Sequence, residues 1–412
     1  MRSEINAYLL FGYSLDFQNP DYKIDFSGVD KGKYSQISEK DAVREGIRKL
    51  ESVFDDLYVP GEDIVVPLSG GVDSRLILAF VSRFREVSGI RTFTFGTPGT
   101  LDYDIGNRLA KQYGTRHTSF PLDQFTYNMD ELIDISRRFR YQSPLFIHPP
   151  VWKLEELYPG CTIWSGVNAG AVVGSFILQS PSRTILEAKT RFLRKGAFVK
   201  SLNLCTGNAS SLIQGMDFEA MEPEVLTYDE QVFFTQRSEK HLAPNVLIKG
   251  FHYKTPFINN QFMDFMLSQR KAFRLGKHLY KRIAYHAFPD FFTDGIEGNY
   301  GFRIDSRGPM VELKRKWHSL QNKMAKRLPK YWRYTSPMIN YIDFNEGIRK
   351  RKDLKKIVCS SIHDLKARNL VTWIDPEEIF NRHLAYKGNH ADALIALASL
   401  ETHLKAGKKL EH

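Results

Sequence analysis

Leu68-Ser-Gly-Gly-Val-Asp-Ser-Arg75 is the stretch of this sequence in which residue types and spacing combine into chemistry. Gly70 and Gly71 let the backbone approach a ligand with no Cβ in the way. The run that follows, Leu76-Ile-Leu-Ala79, reads as a helix whose first amides point outward beside its positive dipole end, so the loop is a seat for an anion. Ser69 and Ser74 add hydroxyl donors for phosphate oxygens. Asp73 repels a phosphate unless a cation stands between them, and therefore implies Mg2+ with Asp73 as its ligand. A γ-phosphate loop ending in Lys-Ser or Lys-Thr is excluded, because the lysine is absent and the spacing differs.

The elements around the loop must hold it still. Asp63-Ile-Val-Val-Pro-Leu68 is a short β-branched run between turn formers and reads as a buried parallel strand. Before it, Val43, Ile47, Leu50, Phe54 and Leu57 mark one apolar face of a helix over Asp41–Tyr58, with Ser38 and Asp41 as its capping pair and Pro60-Gly61 as its stop. Arg91–Phe95 reads as a second strand and Asp104–Tyr113 as an amphipathic helix, with His117–Leu122 and Cys161–Trp164 as further strands. This alternation predicts an α/β fold, a parallel sheet flanked by helices. From about Pro181 the strand signal fades and the chain reads as mainly helical. The expected division is 1–60 as a joining segment and leading helix, 61–181 as the α/β nucleotide-binding region and 182–409 as a helical region. Residues 410–412 read as a tag remnant.

Ser-Gly-Gly-x-Asp-Ser between a strand and a helix resembles the pyrophosphate loop (PP-loop) of the ATP pyrophosphatases, which cleave ATP between the α- and β-phosphates, transfer AMP to a substrate oxygen and release pyrophosphate. Within that superfamily the chain is similar to the synthetase domain of the asparagine synthetases and β-lactam synthetases. Asn6–Gly12 resembles the stretch joining the family's glutaminase and synthetase domains. Thr92-Phe-Thr-Phe-Gly-Thr-Pro-Gly99 with Asp102, Ala110, Gly114 and His117 resembles its second strand-helix unit. Thr255-Pro-Phe-Ile258, Lys277, Arg282 and Pro289 are similar to its helical half, so the resemblance runs from about Asn6 to Pro289.

The resemblance implies an ATP-dependent ligase that adenylates a carboxylate and joins it to ammonia or an amine, with ATP and Mg2+ as cofactors. Ser69, Gly70, Gly71, Asp73 and Ser74 would hold pyrophosphate and its metal, Leu68, Phe95 and Gly96 would lie against adenosine, and Ser165 and Gly166 match the turn after the fourth strand. Two departures stand out. The family supplies a second metal-linked carboxylate where this chain reads Val167-Asn-Ala-Gly-Ala171. It supplies a lysine near Ile296 where this chain offers Glu297, and losing such a cation is worth about 3 to 4 kcal/mol of transition-state stabilisation. Lys277 is the expected replacement, with Lys281, Arg282 and Arg303 as alternatives, and pairs with Asp73 as the expected catalytic set.

Residue 2 is arginine where the family's glutaminase has its cysteine, so no glutaminase is expected, and nitrogen is expected as free ammonia, as an amine or from a separate glutaminase subunit. The acid is expected to be a small-molecule carboxylate, aspartate or a specialised one such as a uronic acid sugar.

The remaining composition narrows the alternatives. With 42% hydrophobic and 25% charged residues the chain is neither disordered nor fibrous, and its 3 cysteines, in no Cys-x-x-Cys pair, suit neither a disulfide framework nor a thiolate zinc site. No apolar run spans a bilayer and no leader is legible, so a cytoplasmic protein without a membrane partner is expected. The net charge of +11 raises a tRNA-modifying PP-loop protein as an alternative, but the cysteines form no thiolating set and no nucleic-acid module is legible. The basic stretch Lys314–Lys356 is expected to be solvated helix faces, and His148 a surface loop. The other alternative is a catalytically degenerate ATP-binding scaffold, which the two departures would produce.

Overall fold

The computed structural model describes residues 2–207, 211–216, 218–306, 308–327 and 334–410, with only the backbone described at 325–327. Lys330, Arg333 and the side chains of Lys326 and Arg327, within the basic stretch, and Glu411 and His412, within the expected tag remnant, lie outside it.

Five strands form one sheet in the order β3-β2-β1-β4-β5: β1 (Ile64–Pro67), β2 (Arg91–Gly96), β3 (Arg116–Pro121), β4 (Thr162–Trp164) and β5 (His252–Lys254). All pairs are parallel, with Val65 opposite Arg91 and Ile163, and Ile163 opposite Tyr253. Parallel strands must be covered on both faces, and β1 meets this requirement with Ile64, Val65 and Val66 all buried. The part past Pro181 is mainly helical, as expected, and adds one strand, β5, to the sheet. His-Tyr-Lys is short and carries none of the β-branched residues that mark a buried strand, so only its place beside β4 identifies it.

The helices position the strands. α1 (Arg2–Phe11) was not legible as a helix, whereas α2 (Glu39–Leu57) follows the expected apolar face. Ser38 accepts the Asp41 amide at 3.1 Å and donates to the Asp41 carboxylate at 2.6 Å. α3 (Val72–Val81) follows the 68–74 loop, and α4 (Leu101–Tyr113) begins a turn earlier than its periodicity showed and ends at Gly114, whose left-handed φ of 73° closes it.

One apolar core joins α2, β1 and α3 to Phe257–Ala284. A second joins α1 to residues 122–151 and to the helices between Phe344 and Leu400. There the helix Ala391–Lys405 packs against α1, and Lys408 pairs with Glu4 at 2.6 Å. His148 belongs to this part of the molecule. It is buried, surrounded by Phe125, Tyr127 and Phe139, with Nδ1 2.8 Å from the Pro149 carbonyl, and burial pushes it down to about 4. The surface-loop expectation is therefore corrected: two prolines made the segment look like a turn, but the aromatic ring is core.

Candidate functional site

The strand order reverses at β1, with β2 and β3 to one side and β4 and β5 to the other. The carboxyl ends of β1 and β4 thus open into one crevice, the position at which open parallel sheets bind ligands. The 68–74 loop leaves β1 there, and Ser165-Gly166 leave β4. A Cβ on Gly166 would stand 3.1 Å from Asp73 Cβ, so a side chain at Gly166 would crowd Asp73 where the two turns meet. Ser165 N donates to the Lys254 carbonyl at 2.8 Å, which fixes the β4 turn on β5.

The loop keeps its shape by internal bonds. Ser69 N donates to Ser74 Oγ at 3.0 Å, the two hydroxyls meet at 3.0 Å, and Gly71 N donates to Ser69 Oγ at 3.2 Å. Gly70 N donates to Asp102, whose carbonyl lies at 3.0 Å and Oδ1 at 2.9 Å. Burial raises the Asp102 carboxyl, against the pull of its bonds from Gly70 and Ser69. Both serine hydroxyls are thus committed to the loop's frame. Gly71 caps α3 with no side chain over the helix end, where the first backbone N–H groups have no intrahelical partner, an arrangement that can receive an anion.

Asp73 is oriented from the helix His278–Ala287. The Tyr280 hydroxyl donates to its Oδ1 at 2.7 Å, while Oδ2 accepts no hydrogen bond from the described residues. Burial first, and the negative charge of Asp73 second, hold the Tyr280 phenol well above its ordinary value, so it remains a donor. Among the described residues no cluster of His, Cys, Asp and Glu forms a metal site by itself. Mg2+ is usually held by one or two carboxylates together with substrate phosphates, and Asp73, with one oxygen fixed and the other unbonded, fits that arrangement.

Lys277 precedes the same helix with a φ of 60°, a left-handed conformation that costs a lysine on the order of 1 kcal/mol. Its Nζ lies 3.7 Å from where a Cβ on Gly170 would be, beside the segment where the resemblance led to the expectation of a second carboxylate. Glu297 faces it across the loop: its amide donates to the Gly70 carbonyl at 2.8 Å, and its Cβ lies 3.0 Å from where a Cβ on Gly70 would be. Burial and then the Asp102 charge push Glu297 up to about 7, with Lys277 opposing. Of the alternative cations, Arg282 is paired with Glu39 at 2.8 Å and Arg303 with Asp305 at 3.3 Å.

Arg75 ties the Glu297 segment down. It is fully buried and donates to the carbonyls of Phe291, Asp294 and Gly295 at 3.4, 3.2 and 2.9 Å, and burial pushes it down to about 10.

At the end of β2, Asn340 occupies the edge expected to face adenosine. Its Nδ2 donates to the Phe95 carbonyl at 2.7 Å, its Oδ1 accepts from Thr100 at 3.0 Å, and its own carbonyl accepts from Thr97 N at 2.9 Å. A Cβ on Gly96 would run into the Asn340 side chain, and the Gly96 carbonyl accepts from Leu122 N at 2.8 Å. Leu68 is buried, with its amide on the Phe93 carbonyl at 2.8 Å and its carbonyl on the Thr94 hydroxyl at 2.6 Å.

Sequence reasoning named Asp102 only through resemblance and read Glu297 only as a missing lysine. It missed Arg75 as a tether, Tyr280 and Asn340. No local signal marks them, since each meets the loop or its neighbour from far along the chain.

No curated protein matches the sequence. The family model described as asparagine synthase matches residues 56–142, which contain β1, the 68–74 loop, β2, Asp102 and β3, and over that segment the chain is similar to the asparagine synthase family.

Proposed function

We propose that the protein is an AMP-forming carboxylate–amine ligase using ATP. The asparagine synthase match supports an ATP-dependent amide-forming ligase in general terms. The observation that carries the finer reading is the convergence of the α3 amides, Asp73 and Lys277 on the crevice between β1 and β4.

In the proposed reaction a carboxylate oxygen bonds to the α-phosphorus of ATP as the bond to the β-phosphate breaks and pyrophosphate leaves. The nitrogen of ammonia or an amine then bonds to the acyl carbon, AMP leaves with its electron pair, and the nitrogen gives up a proton. The first turn of α3 holds pyrophosphate, and Ser69, Ser74, Gly70 and Gly71 shape the loop that presents it. Asp73, aimed by Tyr280, holds Mg2+, which offsets phosphate charge. Lys277 supplies the cation that stabilises charge on the transferring phosphoryl group. Leu68, Phe95 and Gly96 contact adenosine, joined by Asn340, and Ser165 and Gly166 close the β4 side. A separate glutaminase subunit remains one proposed nitrogen source.

Titration calorimetry with ATP and Mg2+, on the intact chain and on Asp73→Ala, tests the seat without a known acid. Pyrophosphate exchange into ATP across a panel of carboxylates then tests the chemistry. Metal-dependent binding lost in the variant supports the reading, and ADP rather than AMP as product overturns it. One observation favours a second reading, an ATP-binding scaffold: Glu297 puts an acid beside the phosphate seat. Binding without exchange for any acid would select it.

A further inference from the structure

The helix Pro309–Arg327 carries its apolar face on the outside. Met310, Leu313, Trp317 and Leu320 recur at steps of three, four and three and are 66%, 64%, 57% and 47% exposed. The side turned to the protein is polar. Lys314 donates to the Tyr300 carbonyl at 2.7 Å and lies over the Phe302 ring at 5.1 Å. His318 stacks on Tyr300 with ring centroids 5.4 Å apart and bonds the Tyr334 hydroxyl. A contiguous apolar stripe of this kind marks a surface that something else covers.

The charges beside the stripe select what covers it. Exposed Lys316 and Lys323 border it, Arg315 lies further round, and the helix's one acid, Glu312, is paired with Arg315. Self-pairing of two copies would place Met310 and Trp317 at a and Leu313 and Leu320 at d of a heptad. The flanking positions are then Lys314, Lys316, Gln321 and Lys323, with no acid to answer a lysine, so like charges meet. A nucleic acid would satisfy the lysines and leave the stripe in water. An anionic lipid surface satisfies both, since tryptophan and leucine enter the headgroup boundary while lysines meet the lipid phosphates.

We infer that the helix Pro309–Arg327 docks the protein onto an anionic lipid surface, lying in the plane of the interface. Among the described residues no helix is long and apolar enough to cross a membrane, and the docking is peripheral.

Co-sedimentation of the full chain with phosphatidylcholine vesicles, with and without phosphatidylglycerol, tests this. The expected result is sedimentation only with phosphatidylglycerol present, weakened by salt. The pair Leu313→Ser, Trp317→Ser and the pair Lys316→Glu, Lys323→Glu should each reduce partitioning about tenfold or more. Leu186→Ser, at another exposed apolar site, should bind as the parent does, and circular dichroism shows that each variant is folded. Three results overturn the inference: no sedimentation, equal sedimentation with phosphatidylcholine alone, or stripe variants that bind unchanged. A lipid-free dimer in sedimentation velocity that Leu313→Ser, Trp317→Ser abolishes would also overturn it, assigning the face to a second copy.

Discussion

Tyr280 and Asp73 share a hydrogen bond of 2.7 Å that ties the helical part of the chain to the loop after β1. Tyr280→Phe removes a bond to a charged group whose other side water can reach, so it should cost about 1 kcal/mol of stability. The affinity for Mg2+ and ATP should fall about tenfold, because Asp73 loses its fixed orientation. Urea unfolding and calorimetry measure the two effects, and unchanged affinity would show that Tyr280 does not aim Asp73.

Glu297 titrates near the working pH, pushed up to about 7 by burial and Asp102. The folded state holds this proton more tightly than the unfolded chain, so stability falls as pH rises from the ordinary carboxylate range through about 7 and levels off above it. Above that pH the charged carboxylate also repels phosphate. ATP affinity should drop about tenfold between about pH 6 and about pH 8, and Glu297→Gln should flatten the profile. A variant with the parent's pH profile would rule Glu297 out as the cause.

Lys277→Ala should lower the rate of pyrophosphate exchange about 10²–10³-fold while changing ATP affinity much less. Lys277→Gly should be equally slow yet about 1 kcal/mol more stable than Lys277→Ala, because glycine adopts the left-handed φ of 60° freely. If the two variants differ in rate rather than stability, the cation is not what the position contributes.

Arg75→Met should destabilise by about 3 kcal/mol or more, because it removes a buried cation that donates to three backbone carbonyls. Hydrogen exchange should speed up over 295–301 first. Uniform exchange across the molecule would mean that Arg75 supports the fold at large and not the Glu297 segment.

Gly96→Ala and Asn340→Ala should be coupled. Alone, the added methyl collides with Asn340; with Asn340 shortened that collision is relieved, and the strain of an alanine at the Gly96 φ of 155° is what remains. A double-mutant cycle on unfolding free energy should give an interaction of about 1–3 kcal/mol, and simple additivity would refute the contact.

Four strands and the strand–loop–helix arrangement around 68–74 were legible because local chemistry specifies them: β-branched and aromatic runs between turn formers, a Gly-Gly pair and a helix start. β5 was not, since His252-Tyr-Lys254 has the composition of a loop and becomes a strand by pairing with β4. The site divides the same way. Asp73 and the loop glycines announce themselves, whereas Tyr280, Glu297 and Asn340 look like ordinary residues of helices and turns. Their roles arise from contacts across about two hundred residues or more, which no periodicity encodes. His148 shows the reverse error: local turn chemistry at Pro149-Pro150 was read correctly, but burial is set by Phe125, Tyr127 and Phe139 around it.

The placement of β5 has a consequence for synthesis. A nascent chain that has just released Trp164 from the ribosome holds four strands and a bare β4 edge, and the missing neighbour is still almost ninety residues from completion. α1 waits still longer for its partner, the helix Ala391–Lys405. Both surfaces are of the kind that nascent-chain chaperones shield, so pauses in translation between β4 and β5 should be the moments at which this chain is most prone to aggregate.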